Sequence, residues 1–107
     1  MQADTIFSLK SEYNDLDKYK NIYDDICYYK KYTFILHNPY GPAIIRKNGG
    51  KQYCIEGKCH RLDGPAVIYY TGYTEYWINH ELLSKQQFEK HPERLKFLGK
   101  EHLICLV

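Results

Sequence analysis

The sequence lacks the features that mark several functional classes. Its 107 residues carry a net charge of only +2, which is too little for charge alone to drive binding to nucleic acid or to a membrane. The longest charge-free stretch, residues 32–45, contains a histidine, an asparagine, two prolines and a glycine, so it is not expected to span a bilayer. No phosphate-binding loop, nucleophile motif or basic, apolar leader is recognisable. We therefore expect a cytoplasmic protein without enzymatic activity and without a cofactor.

Tyrosine, in contrast, is abundant. The chain has 12 tyrosines, and 16% of its residues are aromatic. This bias favours β-strands, because aromatic side chains fit a pleated, half-buried surface. The length is that of one domain, and 44% of the residues are hydrophobic, so we expect a single domain with its own core.

The strongest pattern is an internal repeat of 23 residues. The first unit, residues 37–59, and the second unit, residues 60–82, align without a gap and share eight identical positions. The identical pairs are His37/His60, Gly41/Gly64, Pro42/Pro65, Ala43/Ala66, Ile45/Ile68, Gly49/Gly72, Tyr53/Tyr76 and Ile55/Ile78. The shared Gly-Pro-Ala at one phase makes a chance match improbable, and internal repeats of this length are typical of stacked arrays.

Each unit is predicted to be a two-stranded hairpin. Asn-Gly in the first unit is a strong hairpin signal, because its turn needs residues with positive φ, and Gly-Pro marks a turn before each hairpin. The predicted strands are residues 43–46 and 51–55 around a turn at 47–50, then 66–70 and 73–78 around 71–72, with residues 56–58 as the link. Alternate residues of a strand lie on the same face of a sheet. This rule predicts a packed face with Ala43, Ile45, Tyr53, Ile55 and their counterparts, and an opposite face with Ile44, Val67 and Trp77.

The flanking segments are predicted to cap the two units. Residues 26–36 resemble a degenerate preceding hairpin, and apolar residues near helical spacing predict a helix over residues 8–23. Downstream, the capping-box pair Ser84 and Gln87 predicts a helix over residues 85–91 with Phe88 inward. Pro92 and Gly99 then bound a second helix, over residues 92–98, and residues 102–107 are predicted to form a last strand.

The predicted fold class is therefore mainly β (α+β): an antiparallel β-hairpin meander of about six strands with short capping helices. We expect one domain, residues 1–107. Its parts are an N-terminal cap with a degenerate hairpin at 1–36, the first unit at 37–59, the second unit at 60–82 and a C-terminal helical cap at 83–107.

The second unit resembles a known type of repeat. The run His60-Arg61-Leu62-Asp63-Gly64-Pro65-Ala66, a strand, a glycine and then Tyr-Trp-Ile-Asn resembles the MORN-like hairpin repeats of uncharacterised proteins from giant viruses and large phages. The segment Leu-Ser-Lys-Gln-Gln-Phe-Glu-Lys-His that follows is similar to the one that closes such proteins. This resemblance covers about residues 26–91. It implies a ladder of β-hairpins and a viral origin, and it carries no activity with it.

The identical turn residues are interpreted as structural. We expect His37 and His60 to bond backbone at the turn, Gly41 and Gly64 to take positive φ, and Pro42 and Pro65 to fix the next φ. Asp63 is also interpreted as a structural residue of the second turn. A catalytic reading of His60 with Arg61 and Asp63 is the alternative, since a histidine beside a carboxylate can act as a base. It is disfavoured because the first unit has Asn38 and Tyr40 at the positions of Arg61 and Asp63.

A zinc site is the second alternative. Cys54, Cys59 and His60 lie close in sequence, with His37 one unit earlier, but Cys-x4-Cys-His is not a standard zinc spacing. The two cysteines align with Trp77 and Leu82, so they are interpreted as small core residues. All four cysteines, including Cys27 and Cys105, are interpreted as reduced thiols. We therefore expect no metal.

The remaining hypotheses concern partners. Tyr69, Tyr70, Tyr73 and Trp77 in the second unit suit a protein interface, where tyrosine and tryptophan are enriched. The leading expectation is a non-catalytic interaction module that binds a host or viral protein or assembles with itself. The alternative is single-stranded nucleic-acid binding, because lysines and tyrosines alternate in residues 18–20 and 28–32.

Overall fold

The computed structural model describes residues 6–100, which form an extended antiparallel sheet followed by two short helices. The strands are β1 (Ile6–Leu9), β2 (Leu16–Asn21), β3 (Ile26–Lys30), β4 (Ile44–Ile45), β5 (Lys51–Gln52), β6 (Cys54–Ile55), β7 (Lys58–Cys59), β8 (Val67–Ile68), β9 (Thr74–Ile78) and β10 (Glu81–Leu83). The helices are α1 (Lys85–Glu89) and α2 (Pro92–Phe97). The predicted fold class, a mainly β antiparallel meander with two short C-terminal helices, is confirmed.

Eight of the strands make one sheet, in the order β1-β2-β3-β4-β5-β8-β9-β10, and β6 and β7 form a separate two-stranded sheet. Neighbours in the main sheet follow one another along the chain except at β5 and β8, between which β6 and β7 intervene in sequence. The body measures 53 × 31 × 22 Å, as expected when hairpins are added side by side. None of the helices within residues 6–100 is long and apolar enough to cross a membrane.

The two units use the same backbone hydrogen bonds, displaced by 23 residues. In the first unit the Ala43 amide donates to the Gln52 carbonyl at 2.9 Å, and Ile44 also lies opposite Gln52. Two residues therefore face one, which is a β-bulge, and a bulge bends and twists the strand that contains it. The second unit repeats this arrangement at Ala66, again at 2.9 Å. Both alanines are fully buried, so only a small side chain fits where the strand bends.

The hairpin turns and the links between units depend on residues with positive φ. Gly49 and Gly72 have φ of 99° and 94° at the hairpin turns, a conformation that glycine adopts without steric cost. The link of the first unit places Glu56 and Gly57 in the left-handed region, and Asn79 repeats the conformation of Glu56 in the second unit, at φ 51° against 53°. Paired positive φ values make the tight turns that suit a two-residue hairpin.

The helix predicted over residues 8–23 is wrong, because these residues form β1 and β2. The Ser11 hydroxyl accepts from the Tyr13 amide at 3.1 Å and stabilises the turn between the two strands. After β2, the Asn21 side chain accepts from the Tyr23 amide, and Asp24 has a φ of 64°. A left-handed residue ends any helix, and the tyrosines of this segment instead find partners across a sheet.

The preceding hairpin predicted over residues 26–36 has different boundaries. Its first strand is β2, and its second is β3. The Asn21 amide donates to the Asp25 carbonyl at 3.1 Å, as the Arg46 amide donates to the Gly50 carbonyl at 2.8 Å in the first unit. Residues 32–36 return only as far as a single bridge to β3. The hairpin was misplaced because its turn uses asparagine and aspartate rather than a glycine.

Asp25 joins this hairpin to the first unit. Its carboxylate is buried, accepts from the Lys47 amide at 3.0 Å and pairs with the Arg46 guanidinium at 3.3 Å. The bond from the Lys47 amide is the main reason that the pKa of Asp25 lies below its usual value. The turn of one hairpin thus holds the turn of the next.

Core residues lie on both faces of the sheet. Ala43, Ala66 and Ile78, on the predicted packed face, are at most 1% exposed. Ile44 and Cys54, on the opposite face, are 8% and 2% exposed. A single packed face is therefore too simple a description, because the bulge and the twist bury residues on both sides of the bent strand.

The C-terminal helices pack on the second unit. Ser84 and Gln87 form the predicted capping box, with bonds of 2.9 and 3.1 Å. Phe88 is buried against the Tyr76 ring at 4.6 Å, and Arg94 donates to the Leu62 carbonyl. Both helices are shorter than predicted, ending at Glu89 and Phe97. The strand predicted over residues 102–107 lies outside the described residues.

Candidate interaction surface

The turn of the second hairpin carries a cluster of exposed aromatic side chains. Tyr69, Tyr70 and Tyr73 are 44%, 69% and 63% exposed. The rings of Tyr69 and Tyr73 lie 5.5 Å apart, because the Tyr69 amide bonds the Tyr73 carbonyl across the hairpin at 2.8 Å. We call these three residues the tyrosine tip. Tyrosine presents a rigid, amphipathic surface to a partner with little loss of side-chain entropy.

Trp77, the fourth predicted interface residue, is less accessible than the tyrosine tip. Its side chain is half-buried, and the indole Nε1 donates to the Glu75 carboxylate at 2.9 Å. The other oxygen of that carboxylate accepts from the Tyr69 hydroxyl at 3.3 Å. The negative charge of Glu75 raises the pKa of Tyr69. Glu75 therefore connects Trp77 to the tyrosine tip on one face of the hairpin.

His37 and His60 occupy equivalent positions and make equivalent bonds. The Nδ1 of His37 accepts from the Glu56 amide, and the Nδ1 of His60 accepts from the Asn79 amide, both at 2.9 Å. Each acceptor bond is to a residue with positive φ in the link that ends its own unit. The histidine thus closes the unit from its first residue to its last turn, and the bonded nitrogen is not available as a base.

The Gly-Pro-Ala turns differ from the prediction. Gly41 and Gly64 do not have positive φ, so the conformational role assigned to them is wrong. A Cβ at position 64 would lie 3.0 Å from the Arg61 guanidinium carbon, whereas at position 41 the nearest atom, of Asn38, is 4.0 Å away. The glycine in the second unit leaves room for the folded arginine side chain rather than for an unusual backbone.

The residue that follows each histidine bonds the carbonyl of the turn proline, but the two units use different side chains for this bond. In the first unit Asn38 donates to the Pro42 carbonyl at 2.9 Å. In the second unit Arg61 donates to the Pro65 carbonyl at 3.0 Å and to Asp63 at 2.8 Å. The Arg61 guanidinium also lies over the Tyr53 ring at 4.0 Å, a cation–π contact. Arg61 and Asp63, which the catalytic alternative placed beside His60, thus neutralise each other's charge and stabilise the turn.

A cleft of about 470 Å³ opens between the two Gly-Pro-Ala turns. Its walls include Tyr40, Tyr53, His60, Arg61 and Phe97. Burial lowers the pKa of His60, so this side chain is neutral around pH 7. The cleft is shallow and mixed in character, and the charges along it are already paired.

Two of the cysteines considered as zinc ligands face each other across strands. Cys54 and Cys59 are paired in the β6–β7 sheet and are buried, and Gln52 donates to the Cys59 sulfur at 3.2 Å. The neighbouring Cys54 thiol lowers the pKa of the Cys59 thiol. His37 and His60 bond backbone through Nδ1 instead of joining them. Within residues 6–100 no group of three or more metal-ligating side chains lies together.

The lysines of the predicted nucleic-acid surface are paired with carboxylates. Four ion pairs are involved: Lys18–Glu12 at 3.3 Å, Lys20–Asp24 at 3.4 Å, Lys30–Glu56 at 2.7 Å and Lys31–Asp17 at 3.1 Å. Tyr28, in the same run, is buried, with its hydroxyl bonded to Glu12 at 2.8 Å. The lysines of these runs therefore form ion pairs with carboxylates of the turns, of the link and of β2, which the linear spacing alone did not reveal.

A further feature was not predicted from the sequence. On one side, β9 is paired with β8, but on its outer side β10 pairs only with residues 76–78. A cleft of about 510 Å³, lined by residues 73–76 and 82–85, opens beside the rest of the strand.

Comparison of the chain with protein-family models, with curated proteins and with solved structures finds no match.

Proposed function

We propose that the chain is a non-catalytic protein-interaction module that binds another protein through the second unit. The observation that carries the proposal is the tyrosine tip. The equivalent turn of the first unit is polar, with Arg46 and Lys47 at the positions of Tyr69 and Tyr70. Exposed aromatic side chains clustered at one turn are typical of protein interfaces.

The chemistry of the rest of the chain supports a binding role over catalysis. His60 accepts a backbone amide through Nδ1, and Arg61 and Asp63 are bonded to each other. Because Nδ1 accepts the bond from that amide, the neutral ring carries its proton on Nε2, and no lone pair of His60 is left to act as a general base. The family resemblance suggests a viral origin, so the proposed partner is a host or viral protein in the cytoplasm, or a second copy of the chain.

The test is recovery of partners from cell lysate by the tagged full chain, with quantification by mass spectrometry and with or without nuclease. The double variant Tyr69→Ser/Tyr70→Ser removes the two tip residues that lie outside the cleft beside β9. The control, Tyr23→Ser/Tyr32→Ser, removes two tyrosines that are 70% and 89% exposed far from the tip. We expect discrete partners that resist nuclease, are lost with the tip variant and are kept with the control.

Two results would reject the proposal. Partners that disappear on nuclease treatment would favour the nucleic-acid alternative, because such partners are held through nucleic acid, which the nuclease removes. Partners recovered equally well by the tip variant and the wild type would show that the tyrosine tip is not the binding surface. Light scattering of the purified chain across concentrations separates self-association from binding to another protein.

A further inference from the structure

In the body of the sheet, the returning strand of each hairpin is covered on its outer side by the first strand of the next hairpin. Cys27 of β3 lies opposite Ile44 of β4, and Gln52 of β5 lies opposite Val67 of β8. The equivalent residue in the second unit is Glu75 of β9. Among residues 6–100, no strand lies on the outer side of β9 at this level. The position that β4 and β8 fill for the earlier hairpins is thus open at the end of the array.

The open position is a cleft rather than a flat strand edge. Residues 73–76 form one wall, and residues 82–85, which include the start of α1, form the other. We call this region the terminal edge. Helix α1 covers the neighbouring face of the sheet through the contact between Phe88 and Tyr76. It leaves the edge itself uncovered, because the helix begins beside the cleft instead of running along β9.

Backbone groups at the terminal edge are directed outward. In the first unit the Tyr53 amide donates to the Ala66 carbonyl of the next unit at 2.7 Å. Antiparallel bonding alternates along a strand, so Lys51, two residues earlier, also directs its amide and carbonyl toward β8. Thr74 is equivalent to Lys51, and its amide and carbonyl therefore point into the cleft. An unpaired strand edge of this kind is a template for another strand.

The strands that fill the equivalent positions define what fits. Both have the form Gly-Pro-Ala followed by two β-branched residues, at residues 41–45 and 64–68. In both, the alanine is fully buried and its carbonyl accepts a tyrosine amide at 2.7 Å, from Tyr28 and Tyr53 respectively. The small residue lets the bulged strand approach closely, and the β-branched residues favour the extended conformation.

From this continuity we propose that the terminal edge binds an extended segment of a partner protein, with a small residue followed by two β-branched residues, as an added antiparallel strand. Strand addition takes its affinity from main-chain bonds and its specificity from alternate side chains. Both Gly-Pro-Ala strands of the chain are already paired in its own sheet, so the matching strand comes from a different polypeptide. This inference rests on the proposed function and names the class of partner segment.

The test is binding of a fluorescent synthetic peptide, Gly-Pro-Ala-Val-Ile-Tyr, to the full chain, followed by anisotropy. A second peptide is N-methylated at the isoleucine, whose amide faces the returning strand in the equivalent β5–β8 pair. N-methylation removes one main-chain donor and leaves the protein unchanged. We expect the methylated peptide to bind at least about tenfold more weakly, as loss of one buried hydrogen bond implies. A scrambled peptide of the same composition is expected not to bind.

A matched pair of variants tests the protein side. Thr74→Pro removes the outward amide, and proline is tolerated where a strand edge faces solvent. Thr74→Val keeps that amide and serves as the control. We expect peptide binding to be lost in Thr74→Pro and kept in Thr74→Val, while circular dichroism shows that both variants fold.

Three outcomes would overturn the inference. The first is equal binding of the methylated and unmethylated peptides, and the second is no binding of the unmethylated peptide at millimolar concentration. The third is binding only after deletion of residues 101–107, which would make the chain itself the occupant of the terminal edge. If the peptide fails while partners in lysate still depend on Tyr69 and Tyr70, the interaction module stands and only strand addition is rejected.

Discussion

The two units have nearly the same backbone and different surroundings. The first unit, residues 37–59, has strands of neighbouring hairpins on both sides. The second, residues 60–82, has a hairpin on one side and the terminal edge on the other. Their side chains differ accordingly, since the turn of the first carries Arg46 and Lys47 and the turn of the second carries Tyr69 and Tyr70.

The comparison separates what builds the hairpin from what the hairpin presents. Positions that are identical in both units close a turn, fit a bulge or bond backbone, as His37 and His60 do. Positions that differ lie at the turns, in the links and also in the strands, where Cys54 and Cys59 give way to Trp77 and Leu82. The shared residues therefore build the hairpin, and among the positions that differ, the exposed tyrosines of the second turn are the ones that we propose to contact a partner.

The largest expected difference between the units is in the matched isoleucines. Ile78 is 1% exposed, whereas Ile55 is half-buried and lines the cleft between the units. Ile78→Ala should lower the free energy of unfolding by about 2–5 kcal/mol, because it leaves a cavity in a packed site. Ile55→Ala should cost clearly less. Denaturant unfolding measures both, and equal losses would mean that the two units are equally well packed.

The turn glycines should respond alike in both units. Gly49→Ala and Gly72→Ala each place a side chain at a φ above 90°, and we expect each to destabilise the fold by roughly 1–2 kcal/mol. Gly41→Ala is the control, because φ there is not positive and the nearest atom to a new Cβ is 4.0 Å away. Thermal unfolding checks the three variants. If Gly41→Ala lowered the free energy of unfolding more than Gly49→Ala and Gly72→Ala do, Gly41 would need positive φ after all, as the sequence predicted.

A smaller effect depends on pH. Burial lowers the pKa of His60 in the folded chain below the ordinary value of 6.5. The unfolded chain then takes up the proton more readily than the folded chain. The contribution of His60 to the free energy of unfolding is therefore complete above about pH 6.5, and it falls as the pH drops below that value. His60→Ala should cost about 1 kcal/mol at pH 8 and flatten this decline. Unfolding free energies measured from pH 8 to pH 5 check it, and an unchanged slope in the variant would contradict the account.

The smallest expected effect is on stability at the tyrosine tip. Tyr70 is 69% exposed and makes no side-chain hydrogen bond within residues 6–100. Tyr70→Ser should therefore change the free energy of unfolding by less than about 0.5 kcal/mol. A thermal melt of the variant beside the wild type measures this. A loss of several kcal/mol would show that the residue serves the fold instead of a partner.

Hairpin architecture could be predicted from local signals. The pair Asn48-Gly49 marks a turn at which Gly49 has positive φ, and the repeated Gly-Pro-Ala fixes the phase of the two units. Ser84 and Gln87 likewise predicted the start of α1, because a capping box is a contact within four consecutive residues. Each of these signals depends only on neighbours along the chain.

Some features could not be predicted because the decisive contact is distant in sequence. The segment of β1 and β2 has apolar residues at helical spacing, but its stability comes from cross-strand partners such as Tyr19 and Cys27. Pairing of Lys30 with Glu56, 26 residues away, could not be read from the lysine-tyrosine run. The terminal edge is recognised because no strand within residues 6–100 lies beside β9 at this level, and no sequence pattern signals an open position of this kind.

The most direct test of the account is amide hydrogen exchange at two matched residues, Lys51 and Thr74, followed by NMR. The Lys51 amide faces β8, whereas the equivalent Thr74 amide faces the terminal edge. We predict slow exchange at Lys51, fast exchange at Thr74 in the free protein, and slow exchange at both once the Gly-Pro-Ala-Val-Ile-Tyr peptide is added. Slow exchange at Thr74 without peptide would contradict the account, because the edge would already be filled.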